Sequence, residues 1–289
     1  MATPATQNAG PRGPRWRVAR RAGVVALLVA VVVGAVIAPG FDEREVTPDD
    51  PSVWAMQSVA GQRFARINTV VGEVDTVKNA SAPTEIVQSG STLLVYSDNL
   101  GTVTPVDTAR PTDVDAGSSD ATVATPSGTD ALSYAGDFVA YLTDTGHVMA
   151  GRVSDNSAVT PTAFDPFATV AVEEGQERPE FRAIAVAVSP TGEVAAYSSE
   201  QDSVLRANVA TGLIDGMDAI TGGPTDGDLQ MTWVGETWLL FDADTGRIWR
   251  RGSPDANATG ATGAAKVQQS VAQGESAWVA DDIGTIEIS

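Results

Sequence analysis

Residues 131–149 read Ala-Leu-Ser-Tyr-Ala-Gly-Asp-Phe-Val-Ala-Tyr-Leu-Thr-Asp-Thr-Gly-His-Val-Met, a pattern that returns at residues 231–249 as Met-Thr-Trp-Val-Gly-Glu-Thr-Trp-Leu-Leu-Phe-Asp-Ala-Asp-Thr-Gly-Arg-Ile-Trp. In both stretches a short apolar run is followed by a turn glycine, a second apolar run, a polar turn and a further strand-like segment. Short apolar runs bounded by glycine and polar turns predict consecutive β-hairpins.

The same unit recurs at residues 85–103, 185–205 and 271–286, while residues 53–56 and 63–68 fit parts of one more. The first glycines of the five units (Gly90, Gly136, Gly192, Gly235 and Gly274) are 46, 56, 43 and 39 residues apart. A propeller blade takes about 40–50 residues, so we predict an all-β fold, a β-propeller of about five to six blades. A β-sandwich is the alternative, but it does not explain paired glycines at a nearly fixed separation.

The central apolar runs explain why such units would stack. Phe138-Val-Ala-Tyr and Trp238-Leu-Leu-Phe are apolar at successive positions, which predicts a neighbouring sheet on either side of each. We expect the strand after the polar turn to alternate, because one of its faces would meet water, and Ser203 to stand for the second glycine of its unit. A four-stranded sheet cannot bury both of its faces alone, so radial stacking is expected.

Composition excludes several classes of function. The 289 residues include 18 Lys+Arg and 37 Asp+Glu, giving a formal charge of -19, with one His and no Cys. The lack of Cys excludes disulfides, thiolate nucleophiles and cysteine-based zinc sites. The acidic balance argues against nucleic acid as a partner, because phosphate binding needs a basic surface.

The first 41 residues differ from the rest in charge. They contain no acidic residue, and their basic residues are Arg12, Arg15, Arg17, Arg20 and Arg21. Residues 22–38 carry no charged side chain, and about 17–25 apolar residues span a bilayer as a helix. Because positive flanks stay in the cytoplasm, we predict a cytoplasmic basic tail (1–21), a transmembrane signal-anchor helix (22–41), an acidic linker (42–52) and an extracytoplasmic propeller (53–289).

The alternative is a cleaved signal peptide and a secreted protein. Pro39 disfavours this alternative, because it directly follows the candidate cleavage position at Ala38.

The sequence carries no catalytic motif: it has no phosphate loop, dinucleotide fingerprint or nucleophile elbow. The single histidine, His147, follows a turn glycine and is predicted to be an exposed turn residue. Asp242-Ala-Asp-Thr-Gly246 begins like a calcium loop, but Ser253 stands at the twelfth position where an EF-hand has Glu, so a β-turn is predicted. We therefore expect no enzyme activity, no cofactor and no metal.

Four tryptophans in the last third, Trp233, Trp238, Trp249 and Trp278, have two interpretations. As bulky rings they would fill the cores between sheets. Alternatively, one or two of them would line a face of the propeller as a platform for a carbohydrate or peptide. The sequence favours the first interpretation.

The arginine-led apolar segment, Val53-Trp-Ala-Met, residues 63–69, residues 72–78 and the hairpin units together resemble the N-terminal region of large actinobacterial surface proteins. In that group a signal anchor and a β-propeller precede fibronectin type III or other Ig-like repeats. The resemblance implies a cell-envelope protein and, because such repeats do not follow here, suggests a fragment of a longer one. It implies no catalytic residues.

The first functional hypothesis is a membrane-anchored extracytoplasmic binding or scaffold module, held by one helix, with an unknown protein or polysaccharide as ligand. The second is a secreted propeller-type carbohydrate-active enzyme, a lyase or glycosidase, and a weaker third is a sensor. A central pocket lined by Ser, Thr and backbone would favour the module. A pocket in which Asp or Glu converges with Trp or Tyr would favour the enzyme.

Overall fold

The computed structural model describes residues 52–57, 62–114, 121–154, 156–173, 175–258, 266–269, 276–280 and 284–288. All regular secondary structure in these ranges is β-strand, which confirms the predicted all-β class. Across the same ranges no helix has the length and hydropathy that a membrane crossing requires. The predicted basic tail and signal-anchor helix, with the five orienting arginines, lie outside the described residues.

The described strands form six antiparallel sheets, of which the first and last have three strands and the others have four. Strands that are neighbours in a sheet are also neighbours in the chain, so each sheet is a meander. The strands of the first three sheets are β1 (Ser52–Gln57), β2 (Arg63–Asn68) and β3 (Glu73–Asn79); β4 (Pro83–Ser89), β5 (Thr92–Ser97), β6 (Thr102–Asp107) and β7 (Val123–Ala124); and β8 (Thr129–Ala135), β9 (Phe138–Thr143), β10 (Val148–Arg152) and β11 (Thr162–Ala163).

The strands of the last three sheets are β12 (Ala185–Val188), β13 (Glu193–Ser198), β14 (Ser203–Asn208) and β15 (Leu213–Ala219); β16 (Leu229–Val234), β17 (Thr237–Asp242), β18 (Arg247–Arg250) and β19 (Ser253–Ala258); and β20 (Lys266–Gln269), β21 (Ala277–Ala280) and β22 (Thr285–Ile288). Six sheets fall within the predicted number of blades. The first strand begins at Ser52, one residue before the predicted start of the propeller.

Turn glycines connect the first and second strands of three sheets as predicted. The loops Gly90-Ser91, Gly136-Asp137 and Gly235-Glu236 each contain two residues. Their glycines have φ values of 53°, 55° and 54°. Glycine at the first loop position with positive φ is typical of a type II′ turn, whose twist matches that of the two strands it joins.

The second strand of each four-stranded sheet is buried on both faces. In β17, Leu239 and Phe241 pack toward the sixth sheet, whereas Trp238 and Leu240 pack toward the fourth. Five cores of this kind join the six sheets in succession. A sandwich would have a single core between two layers, so the radial arrangement is confirmed and the sandwich alternative is wrong.

Two sequence expectations about the units need correction. The third strand does not alternate: in β14 Ser203, Val204 and Leu205 are buried in succession, and the alternating strand is the fourth, β15. The third strand lies between two neighbouring sheets, so only the outermost strand meets water. In addition, Ser203 begins β14, and the preceding Asp202 takes the positive φ, at 44°. Asp tolerates this conformation better than most residues.

The last unit also differs from the sequence expectation. Its first strand is β20, Lys266–Gln269, which ends before the run from Val271 that was expected to form it. Gly274, the expected turn glycine, lies outside the described residues.

Candidate functional site

A central cavity of about 830 Å³ lies where the first strands of successive sheets converge. Its lining comes from five sheets, the second to the sixth. The first strands β8, β12, β16 and β20 contact one another in succession, which places them at the inside of the array. A cavity of several hundred Å³ with mixed polar and apolar walls has the size of a ligand site.

The cavity wall presents hydroxyl groups and two aromatic rings. The hydroxyls belong to Ser89, Ser133, Thr232 and Thr285, and the rings to Tyr134 and Trp278. The Ser133 hydroxyl accepts a hydrogen bond from the backbone N–H of Val188 at 3.0 Å, which ties the third sheet to the fourth at the wall. Tyr134 and Trp278 are both exposed, so their ring faces are open to a ligand.

Asp137 is the charged residue of the lining, and both of its carboxylate oxygens are engaged. Ser89 Oγ donates to Asp137 Oδ1 at 2.8 Å, and Arg152 Nη2 donates to Oδ2 at 3.0 Å. The hydrogen bond from Ser89, followed by that from Arg152, lowers the pKa of Asp137. The carboxylate is therefore ionised at neutral pH, and the Arg152 guanidinium compensates its charge.

Tyr134 keeps its proton at neutral pH. Partial burial raises its pKa, and the nearby charge of Glu85 raises it further. The cavity thus offers neutral hydroxyls and ring faces in a chain whose formal charge is -19. Such a wall suits an uncharged ligand that forms hydrogen bonds and stacks on aromatic rings.

Three of the four tryptophans predicted as a ligand platform lie in a core instead. Trp233, Trp238 and Trp249 are each 1 % exposed, so a ligand cannot stack on them, and the platform interpretation is wrong for these three. They pack against the alanines of the fourth sheet, and two of their indoles are hydrogen-bonded. Trp233 Nε1 donates to the Ala187 carbonyl at 3.4 Å, and Trp238 Nε1 donates to Asp218 Oδ2 at 2.9 Å.

Trp278 is different. It is 41 % exposed and lines the cavity from the sixth sheet. The side chains of Ala277 and Val279 on either side of it point into the core shared with the fifth sheet, so the indole is on the opposite face. Of the four predicted platform residues, this one is placed where a ligand can reach it.

Tyr134, Ser133 and Asp137 were not predicted as site residues. They could have been found from their position next to the turn glycine Gly136. Because the repeat places the ends of successive first strands side by side, residues next to the turn glycines are candidates for a shared cavity. His147 is exposed in a turn, as predicted, with its Nδ1 3.1 Å from Thr145 Oγ1.

The calcium-like segment is a turn, as predicted. Asp242 Oδ1 accepts hydrogen bonds from the backbone N–H groups of Asp244 and Thr245, at 3.0 and 3.2 Å. An Asp side chain that bonds its own following backbone stabilises a turn. In the part of the chain that the structure describes, no group of three or more acidic or His side chains is arranged to hold a metal ion.

Comparison with known proteins supports the fold alone. No protein-family model and no curated protein matches the chain. Among solved structures, Hsv2 from Kluyveromyces lactis is similar at a TM-score of 0.54 with 9% identity over 76% of this chain and 72% of its own. The β-propeller domain of Cps50 (Swd1) from Myceliophteria thermophila gives 0.50 with 10% identity over 82% and 85%. A protein of unknown function from Desulfotomaculum acetoxidans gives 0.52 with 15% identity over 79% and 72%. The fold is a β-propeller.

Proposed function

We propose that this chain is a binding or scaffold module of the bacterial cell envelope, held in the membrane by one helix, with its propeller outside the cytoplasm and a ligand in the central cavity. The observation that carries the proposal is the cavity wall. It combines neutral hydroxyls with two exposed rings, and its carboxylate, Asp137, is already paired with Arg152. A propeller with such a wall binds without needing a reactive group.

The wall chemistry supports a neutral ligand. A charged ligand entering the cavity would lose hydration, and the wall offers no free counter-charge because Arg152 already pairs with Asp137. Neutral sugars and uncharged peptide segments both have hydroxyl or amide groups for hydrogen bonds and apolar surface for Tyr134 and Trp278. The ligand is therefore a neutral polysaccharide or protein segment.

The place of the protein in the cell follows from its N-terminal sequence. The five arginines before an apolar run of transmembrane length favour a cytoplasmic N-terminus and an extracytoplasmic propeller. The resemblance to actinobacterial surface proteins supports the same location, as part of a longer chain with Ig-like repeats. Protease treatment of intact cells tests the topology, because the part beyond Asp42 should be cut; its survival while known surface proteins are degraded would reject it.

A secreted carbohydrate-active enzyme is the second candidate, because the cavity also brings one carboxylate, Asp137, together with Tyr134 and Trp278, the combination expected to favour an enzyme. Glycoside hydrolysis usually needs two carboxyl groups on opposite sides of the bond, one of them a general acid with a raised pKa. Asp137 has the opposite property, since its pKa is lowered, and Ser89 and Arg152 occupy its oxygens. The wall thus favours binding over this chemistry.

The binding proposal is tested by comparing the full chain with Trp278→Ala on arrays of neutral glycans, charged glycans and peptides. We expect binding to a neutral glycan or an uncharged peptide, with at least about a tenfold loss of affinity in Trp278→Ala, since one stacked ring is worth roughly 1.4 kcal/mol or more. Leu213→Ala, which alters an exposed apolar residue outside the cavity, is the matched control and should bind normally. Equal binding by all three proteins would show that the cavity is not the site.

A further inference from the structure

A second cavity, of about 330 Å³, lies between the fifth and sixth sheets. The strands and turns of the fifth sheet supply most of its lining, and Ile288 of β22 supplies the side toward the sixth sheet. It shares no described lining residue with the central cavity. Ligand sites in proteins start at about 300 Å³, so this cavity has room for a small molecule or for the last residue of a polypeptide. It is here termed the arginine cavity, after Arg250 and Arg251 in its lining.

The floor of the arginine cavity is aliphatic. Leu239 is 2 % exposed and belongs to the core between the fifth and sixth sheets, against which Val234 and Ile288 pack. The strand register places Leu239 opposite Arg250, and paired residues of neighbouring strands lie on the same face of a sheet. A cationic side chain and an apolar floor therefore belong to one face of the fifth sheet.

The two arginines lie at the end of a strand and in a tight turn. Arg250 is the last residue of β18, and Arg251 and Gly252 form the two-residue turn to β19, in which Gly252 has a φ of 79°. Both arginine side chains are exposed, and the described lining of the cavity contains no acidic residue. Ligand access to the guanidinium groups thus requires no movement of the sheet.

The protein neutralises these arginines only in part. Arg251 Nε lies 3.6 Å from Asp218 Oδ2. The same oxygen lies 2.9 Å from Arg206 Nε and accepts a hydrogen bond from Trp238 Nε1, also at 2.9 Å. One carboxylate thus faces two guanidinium groups. Within the part of the chain that the structure describes, Arg250 forms no ion pair.

The positive charge of this segment contrasts with the rest of the chain. Residues 247–251, Arg-Ile-Trp-Arg-Arg, contain three arginines and no acid, whereas the chain has 37 acidic and 18 basic residues. A local excess of positive charge attracts anions. The ligand that complements the arginine cavity therefore carries an anionic group for the arginines and an apolar part for the floor.

We propose that the arginine cavity binds a small aliphatic carboxylate, with its carboxylate on Arg250 and Arg251 and its aliphatic part on Leu239 and Ile288. This is a second site, beyond the proposed function. The guanidinium group matches the two oxygens of a carboxylate in a bidentate pair, and contact with the floor removes apolar surface from water. A free aliphatic acid and a polypeptide C-terminus that ends in leucine both offer this chemistry.

Binding of hexanoate to the full chain in lipid nanodiscs tests the proposal, with ligand-observed nuclear magnetic resonance as the measurement and empty nanodiscs as the blank. We expect a Kd of roughly 1 mM or tighter, a reasonable value for a ligand of this size. Acetate lacks the aliphatic part and hexan-1-ol lacks the charge, so each should bind at least about tenfold more weakly. Absence of hexanoate binding, or equal binding of hexanoate and either comparison ligand, would overturn the proposal.

Variants assign the binding to the two arginines. Arg250→Gln and Arg251→Gln should each lower the affinity for hexanoate at least about fivefold, because each removes a charge-assisted hydrogen bond. Arg110→Gln, which removes the same charge from an exposed residue after β6, is the matched control and should bind normally. Equal losses in all three would show a general effect of net charge, and no loss in the first two would place hexanoate elsewhere; both overturn the proposal. The ligand series needs no variant, so it decides even where a variant fails to fold.

A short peptide that ends in leucine distinguishes the two sources of the carboxylate. Tighter binding of this peptide than of hexanoate assigns the site to a polypeptide terminus, and weaker binding assigns it to a free acid; either result supports the proposal. Equal binding of the peptide and its C-terminal amide would overturn the role of the carboxylate. Trp278→Ala alters the central cavity alone and should bind hexanoate normally, so a failure of the proposed function is distinguishable from a failure here.

Discussion

The hydroxyl groups of Tyr96 and Tyr141 lie 3.1 Å apart and form a buried hydrogen bond between the second and third sheets. Their ring centroids are 6.3 Å apart in an edge-on arrangement. Both side chains come from second strands, β5 and β9, and both lie in the core between these sheets. Each hydroxyl thus satisfies the other in an apolar environment, where an unpaired polar group would be destabilising.

Removing both of these hydroxyls should cost less than the sum of the two single removals. Tyr96→Phe or Tyr141→Phe leaves the remaining hydroxyl buried without its partner, so each should lower the free energy of unfolding by about 1–2 kcal/mol. The double variant leaves no unpaired hydroxyl, so its loss should be clearly smaller than the sum of the two single losses. Urea unfolding followed by circular dichroism measures all four proteins, and strict additivity would contradict a direct bond between the hydroxyls.

All four tyrosines should ionise above the ordinary tyrosine pKa of about 10. Burial raises the pKa values of Tyr96, Tyr134 and Tyr141, and burial with the charge of Asp202 raises that of Tyr197 to about 12. Because the folded pKa values exceed the unfolded ones, the contribution of the protonated tyrosines to the free energy of unfolding is fully present below about pH 10. It is lost as the pH rises toward 12 and beyond.

Tyrosinate absorbance near 295 nm measures this titration. We expect the native protein to form less tyrosinate at pH 10 than the chain unfolded in guanidinium chloride, which should titrate near pH 10 and serves as the reference. A native protein that titrates like the unfolded chain would contradict the burial of Tyr96, Tyr141 and Tyr197.

The hairpin units were predictable because their signals are local. The unbroken apolar run Trp238-Leu-Leu-Phe reports on both neighbouring sheets at once, since side chains in a strand point alternately to its two faces. The two-residue turns likewise depend only on the conformational freedom of glycines such as Gly136. Radial stacking could be predicted because a strand that is apolar on both faces needs a neighbouring sheet against each face.

The cavity was not predictable because its residues come together only in the assembled propeller. Tyr134 and Trp278 belong to the third and sixth sheets, and no local pattern relates them. Trp249 and Trp278 both lie in short strands near the C-terminal end of the sequence, yet one is buried and the other exposed. What separates them is which face of each strand has a neighbouring sheet, and that depends on the register and position of whole sheets.

The tryptophans should differ in their contribution to stability. Trp238→Ala removes a ring that is 1 % exposed and its hydrogen bond to Asp218, so a loss of about 3–5 kcal/mol is expected. Trp278→Ala removes a half-exposed ring and should cost less than about 1 kcal/mol. Chemical unfolding followed by far-ultraviolet circular dichroism compares the two, and losses of equal size would mean that Trp278 is also a core residue.

The turn glycines Gly192 and Gly235 should respond differently to the same substitution, because only one of them has a close neighbour. Gly235 has a φ of 54° and open space around it, so Gly235→Ala should cost only the left-handed strain of about 1–2 kcal/mol. Gly192 has a φ of 86°, and an added Cβ would lie 2.8 Å from Phe138 Cε1. Gly192→Ala should therefore add a packing penalty of about 1–3 kcal/mol to the same strain.

Thermal and urea unfolding measure the difference in stability between Gly192→Ala and Gly235→Ala. This difference should shrink in a Phe138→Leu background, where the ring edge is absent. A difference that persists there would assign the penalty to the backbone rather than to Phe138.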